Sequence, residues 1–218
     1  MADQTQKIPL KLKSSVAQAQ NQVLTVANLT PKAVQPTVIK LVTKPVTFTP
    51  GVSTQFFPQV FTQEEAKNIY QYIHDEIKWE KGIYSQHSKQ TTRLAKSLSF
   101  EDNDLIKWAV AEAIKRMKIV NFIIYGLYLN YYRDGNDFAP SHSHKDTTQL
   151  ILSFNEDGGD RTLKIASKSY PLTNGDCIMF GSSQHGVPKE ANKKGRISIA
   201  IFMKEAPELK GNIAYVSE

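Results

Sequence analysis

From Val120 onward the chain stops patterning as helix and patterns as one strand after another. Candidate strands cover 120–132, 142–154, 160–166, 176–180 and 196–203, each rich in β-branched or aromatic residues. Turn signals separate them at Asp134-Gly135, Asp157-Gly158-Gly159 and Asn174-Gly175, the last a strong hairpin signal. Two helical patterns precede this run. Thr62-Gln63-Glu64-Glu65 is a capping box, and Ile69, Tyr72, Ile73 and Ile77 follow at helical spacing toward an end near Trp79. A second helix is expected from about Asn103 to Met117, burying Ile106, Ala109, Val110, Ala113, Ile114 and Met117. The stretch between them, about 80–100, reads as a polar loop until Arg93–Phe100. Helices first and an all-β run after predict an α+β, mainly β fold, a sandwich or barrel supported by two helices.

Residues 1–50 are of a different character. Pro9, Pro31, Pro36, Pro45 and Pro50 interrupt a Val-, Thr-, Gln- and Lys-rich stretch, and pieces such as Val38-Ile39-Lys40-Leu41-Val42 favour extended chain. This predicts an extended N-terminal arm over 1–50 and a folded domain over 51–218. Such an arm can add strands to a protein partner, to a second copy or to its own domain.

Charge bears on partners. The chain carries a net +6, but the arm holds six lysines against the single acid Asp3, so nearly all of the excess belongs to the arm. Recruitment of an anionic polymer would act largely through it. In the body only local groups, Lys89/Arg93/Lys96 and Lys189/Lys193/Lys194/Arg196, offer a basic surface. One cysteine, Cys177, excludes an internal disulfide and reads as a small buried hydrophobe. No run approaches the length of a membrane span, and no secretory leader pattern opens the chain. An intracellular protein, in cytoplasm or nucleus, is expected.

The chemistry concentrates in His142-Ser143-His144-Lys145-Asp146. On a strand, residues two apart share a face, so neighbouring members of this set can grip one ion from one side. His144, Asp146 and the distant His185 would make a 2-His-1-carboxylate triad, leaving metal positions open. His142, His144 and His185 would make an all-histidine face with one negative charge fewer. Arg196 opens the alternating strand Arg196–Phe202, with Ile197, Ile199 and Ile201 on one face and Arg196, Ser198 and Ala200 on the other. A guanidinium and a hydroxyl inside a barrel can clamp the distal end of a dicarboxylate. Asn130 and Tyr132 share a face and can bond the same acid, while Tyr131 points away.

On these residues the chain resembles the 2-oxoglutarate/Fe(II) dioxygenase superfamily, in its AlkB-like branch, over roughly 57–204. The resemblance rests on Asn130-x-Tyr132-x-x-Gly135, the His-Ser-His-Lys-Asp stretch, Gly175-Asp176-Cys177-Ile178-Met179-Phe180 ahead of His185, and Arg196-x-Ser198. It implies a double-stranded β-helix (jelly-roll) core, Fe(II) and 2-oxoglutarate as cofactors, and dioxygen as co-reactant. Such enzymes decarboxylate 2-oxoglutarate to succinate and hydroxylate a C–H bond. In this branch that often means N-alkyl groups on the bases of alkylated DNA or RNA. Asn130, Tyr132, Arg196 and Ser198 would hold the co-substrate. The metal ligands would come from His142, His144, Asp146 and His185.

Two positions depart from the branch. Its spacing selects His142 as first ligand, which places His144 where a carboxylate is expected; ligand chemistry instead favours His144, Asp146 and His185. Phe202 stands where a second arginine usually follows the first by six residues. The competing readings are a protein or small-molecule hydroxylase of the same superfamily, and a catalytically degenerate member serving as a structural or assembly component.

Overall fold

The structure is a computed structural model that describes residues 53–81 and 91–216 and the backbone of one strand, Ile39–Leu41; the rest of the arm lies outside the described residues. The capping box starts α1 (Gln63–Glu76): the Glu65 amide donates to Thr62 Oγ1 at 3.2 Å and the Thr62 amide to Glu65 Oε2 at 2.9 Å. This helix ends at Ile77, earlier than expected, and Trp79 lies against Tyr131 with ring centroids 5.2 Å apart. Asn103 caps α2 (Asp104–Arg116) by accepting from the Ile106 amide at 3.0 Å. The two helices are joined by Arg116, whose Nη1 and Nη2 donate to the two carboxylate oxygens of Glu65, both at 2.8 Å. That fork holds the Glu65 carboxyl below its ordinary pKa.

The strands are β1 (Ile39–Leu41), β2 (Gln55–Phe57), β3 (Glu80–Lys81), β4 (Leu94–Leu98), β5 (Phe122–Tyr132), β6 (Ala139–His142), β7 (Thr148–Asn155), β8 (Arg161–Ile165), β9 (Lys168–Leu172), β10 (Cys177–Phe180), β11 (His185–Val187), β12 (Arg196–Glu205) and β13 (Ile213–Tyr215). A nine-stranded sheet runs β1-β13-β5-β12-β7-β10-β2, with β4 also pairing β5 and β3 pairing β4. A second sheet runs β6-β11-β8-β9. The architecture is mainly β, with largely antiparallel sheets and two helices.

Alternation along the central strands sorts the side chains. Leu150, Leu152 and Phe154 of β7 and Ile197, Ile199, Ile201 and Met203 of β12 join the core under the helices, which also takes Ile69, Ile73, Ile106, Val110 and Ile114. The opposite faces of the same strands turn toward the small sheet. There Ile151 and Ala200 meet Leu163, Ile165, Phe180 and Val187 in a second apolar cluster. The functional residues share this inner space.

Several expectations need correction. The 142–154 strand is two strands, β6 and β7, because Lys145 and Asp146 turn the chain and Asp146 takes φ +54°. Of the expected 80–100 loop, 82–90 lies outside the described residues and Glu80–Lys81 forms β3, while the Arg93–Phe100 part holds β4, which pairs with β5 from Leu94–Tyr131 to Leu98–Leu127. Asn174-Gly175 is a sharp turn but not a hairpin, since β9 belongs to the small sheet and β10 to the large one. Gly175 has φ +88°, and a Cβ there would lie 2.5 Å from the Phe61 carbonyl oxygen. The hairpin is β8–β9, closed by Ala166 and Ser167, with Ala166 at φ +51°.

Candidate metal centre

One cavity of about 920 Å³ opens between the sheets, and Asn130, Tyr132, His142, His144, His185, Arg196 and Ser198 all line it. His142 ends β6, and His185 begins β11 directly opposite it in the ladder. His144 follows two residues later, beyond the strand. One ring nitrogen from each of the three lies within 4.8 Å of the others. Asp146 is outside this group, exposed on the turn that leads into β7. The geometry therefore gathers three imidazoles and leaves out the carboxylate that ligand chemistry favours.

These imidazoles are prepared as neutral donors. His142 Nδ1 lies 2.8 Å from the Pro140 carbonyl oxygen and His185 Nδ1 2.9 Å from that of Ser183. A carbonyl can only accept, so each Nδ1 carries the proton and each Nε2 keeps its lone pair. Burial lowers all three pKa values, those of His144 and His185 to about 4; the Arg93 guanidinium adds to the effect in each, and neighbouring imidazoles add to it at His144 and His185. Three neutral, mutually close donors fit a divalent transition metal.

At the other end of the cavity Arg196, 1% exposed, donates from Nε to Ser153 Oγ at 2.9 Å, while its Nη2 has no hydrogen-bond partner among the described residues. Burial lowers its pKa to about 10, so it stays charged at neutral pH. Ser198 faces Asn130 across the β12–β5 ladder, with Asn130 Nδ2 3.5 Å from Ser198 Oγ. Tyr132 lies opposite Arg196 in the same ladder. Arg196, Arg161 and Arg93 stand 5.7, 5.6 and 5.8 Å from its ring centroid, and Arg93 Nη1 reaches its hydroxyl at 3.3 Å. Tyr131 points the other way, onto Trp79 and His74.

Arg93 and Gln149 line the cavity and Ser153 anchors Arg196 beside it, and none of the three is expected there from the sequence. Ser153 and Gln149 fall on the polar phase of an otherwise apolar strand, a signal that was present in Gln149, Ser153 and Asn155. Arg93, expected on the surface beside Lys89 and Lys96, is 6% exposed and lines the cavity. Lys89 lies outside the described residues; in the other basic group Arg196 is internal, Lys193 pairs with Asp160 at 2.6 Å and Lys194 with Asp157 at 2.7 Å.

No protein-family model matches the chain, and no curated protein matches its sequence. Solved structures do share its fold. A prolyl-4-hydroxylase from Pseudomonas putida aligns at TM-score 0.50 and 13% identity, over 70% of this chain and 92% of its own. An oxidoreductase of the 2OG-Fe(II) oxygenase family from Burkholderia pseudomallei aligns at 0.52 and 12%, over 70% and 86%. HygX from Streptomyces hygroscopicus, with nickel and 2-oxoglutarate bound, aligns at 0.50 and 7%, over 70% and 82%. At these identities the likeness is one of fold, that of the 2-oxoglutarate/Fe(II) oxygenases, and it does not single out the AlkB-like branch.

Proposed function

We propose that this chain is a 2-oxoglutarate- and Fe(II)-dependent oxygenase whose metal is held by His142, His144 and His185. The observation that carries the reading is one cavity with three neutral imidazoles at one end and a buried, partly unsatisfied arginine at the other. Fe(II) with 2-oxoglutarate and dioxygen supplies the oxidising power for attack on a C–H bond. This chain's residues do the rest. Arg196, with Ser198, takes the distal carboxylate; Asn130 and Tyr132 line the path to the histidines; the apolar wall of Ile151, Leu163 and Ala200 excludes water from it. The solved structure of HygX, similar in fold, holds nickel and 2-oxoglutarate, and that supports the same pair of ligands here.

For the substrate, oxidative removal of an alkyl group from a nucleic acid base is the finer reading. It is supported by the motif resemblance and by an aromatic wall of Tyr125, Tyr128 and Phe202 beside His144, suited to a flat ring. A protein or small-molecule substrate is the second reading, favoured because Arg93 and Arg196 are internal and Lys96, Lys193 and Lys194 are ion-paired. Anaerobic addition of Fe(II) and 2-oxoglutarate should give the visible metal-to-ligand charge-transfer band in wild type and in Asp146→Ala. His142→Ala, His144→Ala and His185→Ala should each lose it, since each removes one of the three donors that would hold the metal. Folded wild type without the band would leave a structural or assembly role as the better account. With the band established, succinate release stimulated by alkylated oligonucleotide and not by peptides separates the two substrate readings.

A further inference from the structure

Two positions depart from the pattern the chain resembles, His144 in place of a carboxylate and Phe202 in place of a second arginine, and the fold puts them in contact. The Phe202 and His144 rings meet edge-on, centroids 5.0 Å apart at 77°. The two rings fill this corner of the cavity, and both residues line it.

His144 also needs an orienting neighbour more than the other two histidines do. His142 and His185 are each fixed by a backbone carbonyl. His144 lies past the end of β6, and no hydrogen bond holds its ring among the described residues. Apart from the two other histidines, Phe202 is the ring it packs against.

Phe202 in turn is firmly seated. It lies opposite Gly126, where a register shift between Phe202 and Met203 leaves Tyr125 as an extra residue on β5. The shift lets Tyr125 and Tyr128, three residues apart, both approach Phe202, at 6.3 and 5.3 Å. Thr147 Oγ1 donates to the Lys145 carbonyl at 3.0 Å and so accepts from the Tyr125 hydroxyl at 2.6 Å, which pins the connection that carries His144.

We propose that Phe202 is the residue that positions His144 as a metal ligand, so that positions 144 and 202 act as one coupled pair. The proposal rests on the reading of the three histidines as ligands. Its physical content is that neither partner changes alone without loss. A cation at 202 would face a divalent ion held only by neutral donors, and a carboxylate at 144 alone would be desolvated against the Phe202 ring.

Cobalt(II) alone tests this, through its dissociation constant and ligand-field spectrum. The proteins are wild type, Phe202→Arg, His144→Asp, the double variant and Phe202→Leu, each checked for folding by circular dichroism. Phe202→Arg should weaken Co²⁺ binding about 10- to 100-fold, as loss of a ligand-orienting neighbour does. Adding His144→Asp to it should recover about tenfold or more, although the same change in wild type gives no gain. Phe202→Leu keeps an apolar side chain and should still shift the ligand-field bands. Additive effects of the two changes, or a Phe202→Leu spectrum identical to wild type, would overturn the pairing while leaving the metal site in place. Wild type that binds no cobalt would overturn the metal reading and the pairing with it.

Discussion

The Arg196 side chain is almost wholly buried, and its Nε is satisfied by Ser153 while its Nη2 meets no acceptor among the described residues. A buried donor left without an acceptor costs about 1–3 kcal/mol, so such a group marks a place where a ligand completes the bonding. The neighbouring guanidinium of Arg161 is equally buried but fully engaged, with Glu190 Oε2 at 3.2 Å and the carbonyls of Asp134 and Asp137 at 2.6 and 2.9 Å. The two arginines thus separate by role, one bracing the fold and one offering hydrogen bonds to the cavity. Replacing Arg196 with Gln should lower 2-oxoglutarate affinity about 10- to 100-fold, the worth of a charge-assisted pair. Metal affinity should stay near wild type. Titration of 2-oxoglutarate into the Fe(II) protein under anaerobic conditions measures the first and a Co²⁺ titration the second. A parallel fall in both would show that Arg196 supports the fold and not the co-substrate.

Among the elements, the connection from β5 to β6 shows why Gly135 belongs to the motif that begins at Asn130. The Glu190 amide donates to the Gly135 carbonyl at 2.8 Å, and a Cβ on Gly135 would lie 1.8 Å from the Glu190 carbonyl oxygen. Only glycine lets the loop after β11 close onto the loop after β5, and Arg161 then ties both together. Gly135→Ala should therefore destabilise the protein by about 3 kcal/mol or more, since backbone has to part to make room. Urea denaturation measures this, and wild-type stability would refute the close-approach account. This fold was partly legible in advance. Local chemistry announced α1 through its capping box and β12 through strict alternation. Leu94–Leu98 became β4 only through its long-range pairing with β5, since its Leu, Ala and Lys carry no strand preference. Ala166-Ser167 closes a hairpin without the Asn or Gly that would signal one, whereas Asn174-Gly175 supplies the turn chemistry but sends the chain to the other sheet. The site followed the same division. Each of His142, His144, His185, Arg196 and Ser198 stood out by residue type and spacing. The exclusion of Asp146 and the inclusion of Arg93 depend on where a turn and a distant strand place them, which no local pattern encodes.

For the whole molecule, the wholly or partly buried histidines of the cavity couple folding to pH. In an unfolded chain a histidine takes up its proton near 6.5, whereas in this fold His144 and His185 do so only near 4, chiefly because burial disfavours the charged ring. Between those values the unfolded state binds protons that the folded state refuses. Stability is therefore complete above about pH 7 and declines as pH falls toward 4, and below that these groups add no further slope, both states being protonated. The same shift governs what happens when a metal binds. A ligand set with ordinary histidine pKa values would have to shed protons near pH 6, and metal binding would carry the heat of buffer protonation. Here burial holds His144 and His185 near 4, so both are already neutral at pH 6, and burial lowers His142 in the same direction. Calorimetric titration of Zn²⁺ at pH 6 in two buffers of different ionisation enthalpy should accordingly give the same apparent heat. A buffer-dependent difference equivalent to about one proton or more would mean that the cluster is protonated in the folded apo protein. The imidazoles would then be held apart by mutual repulsion and not preorganised for an ion.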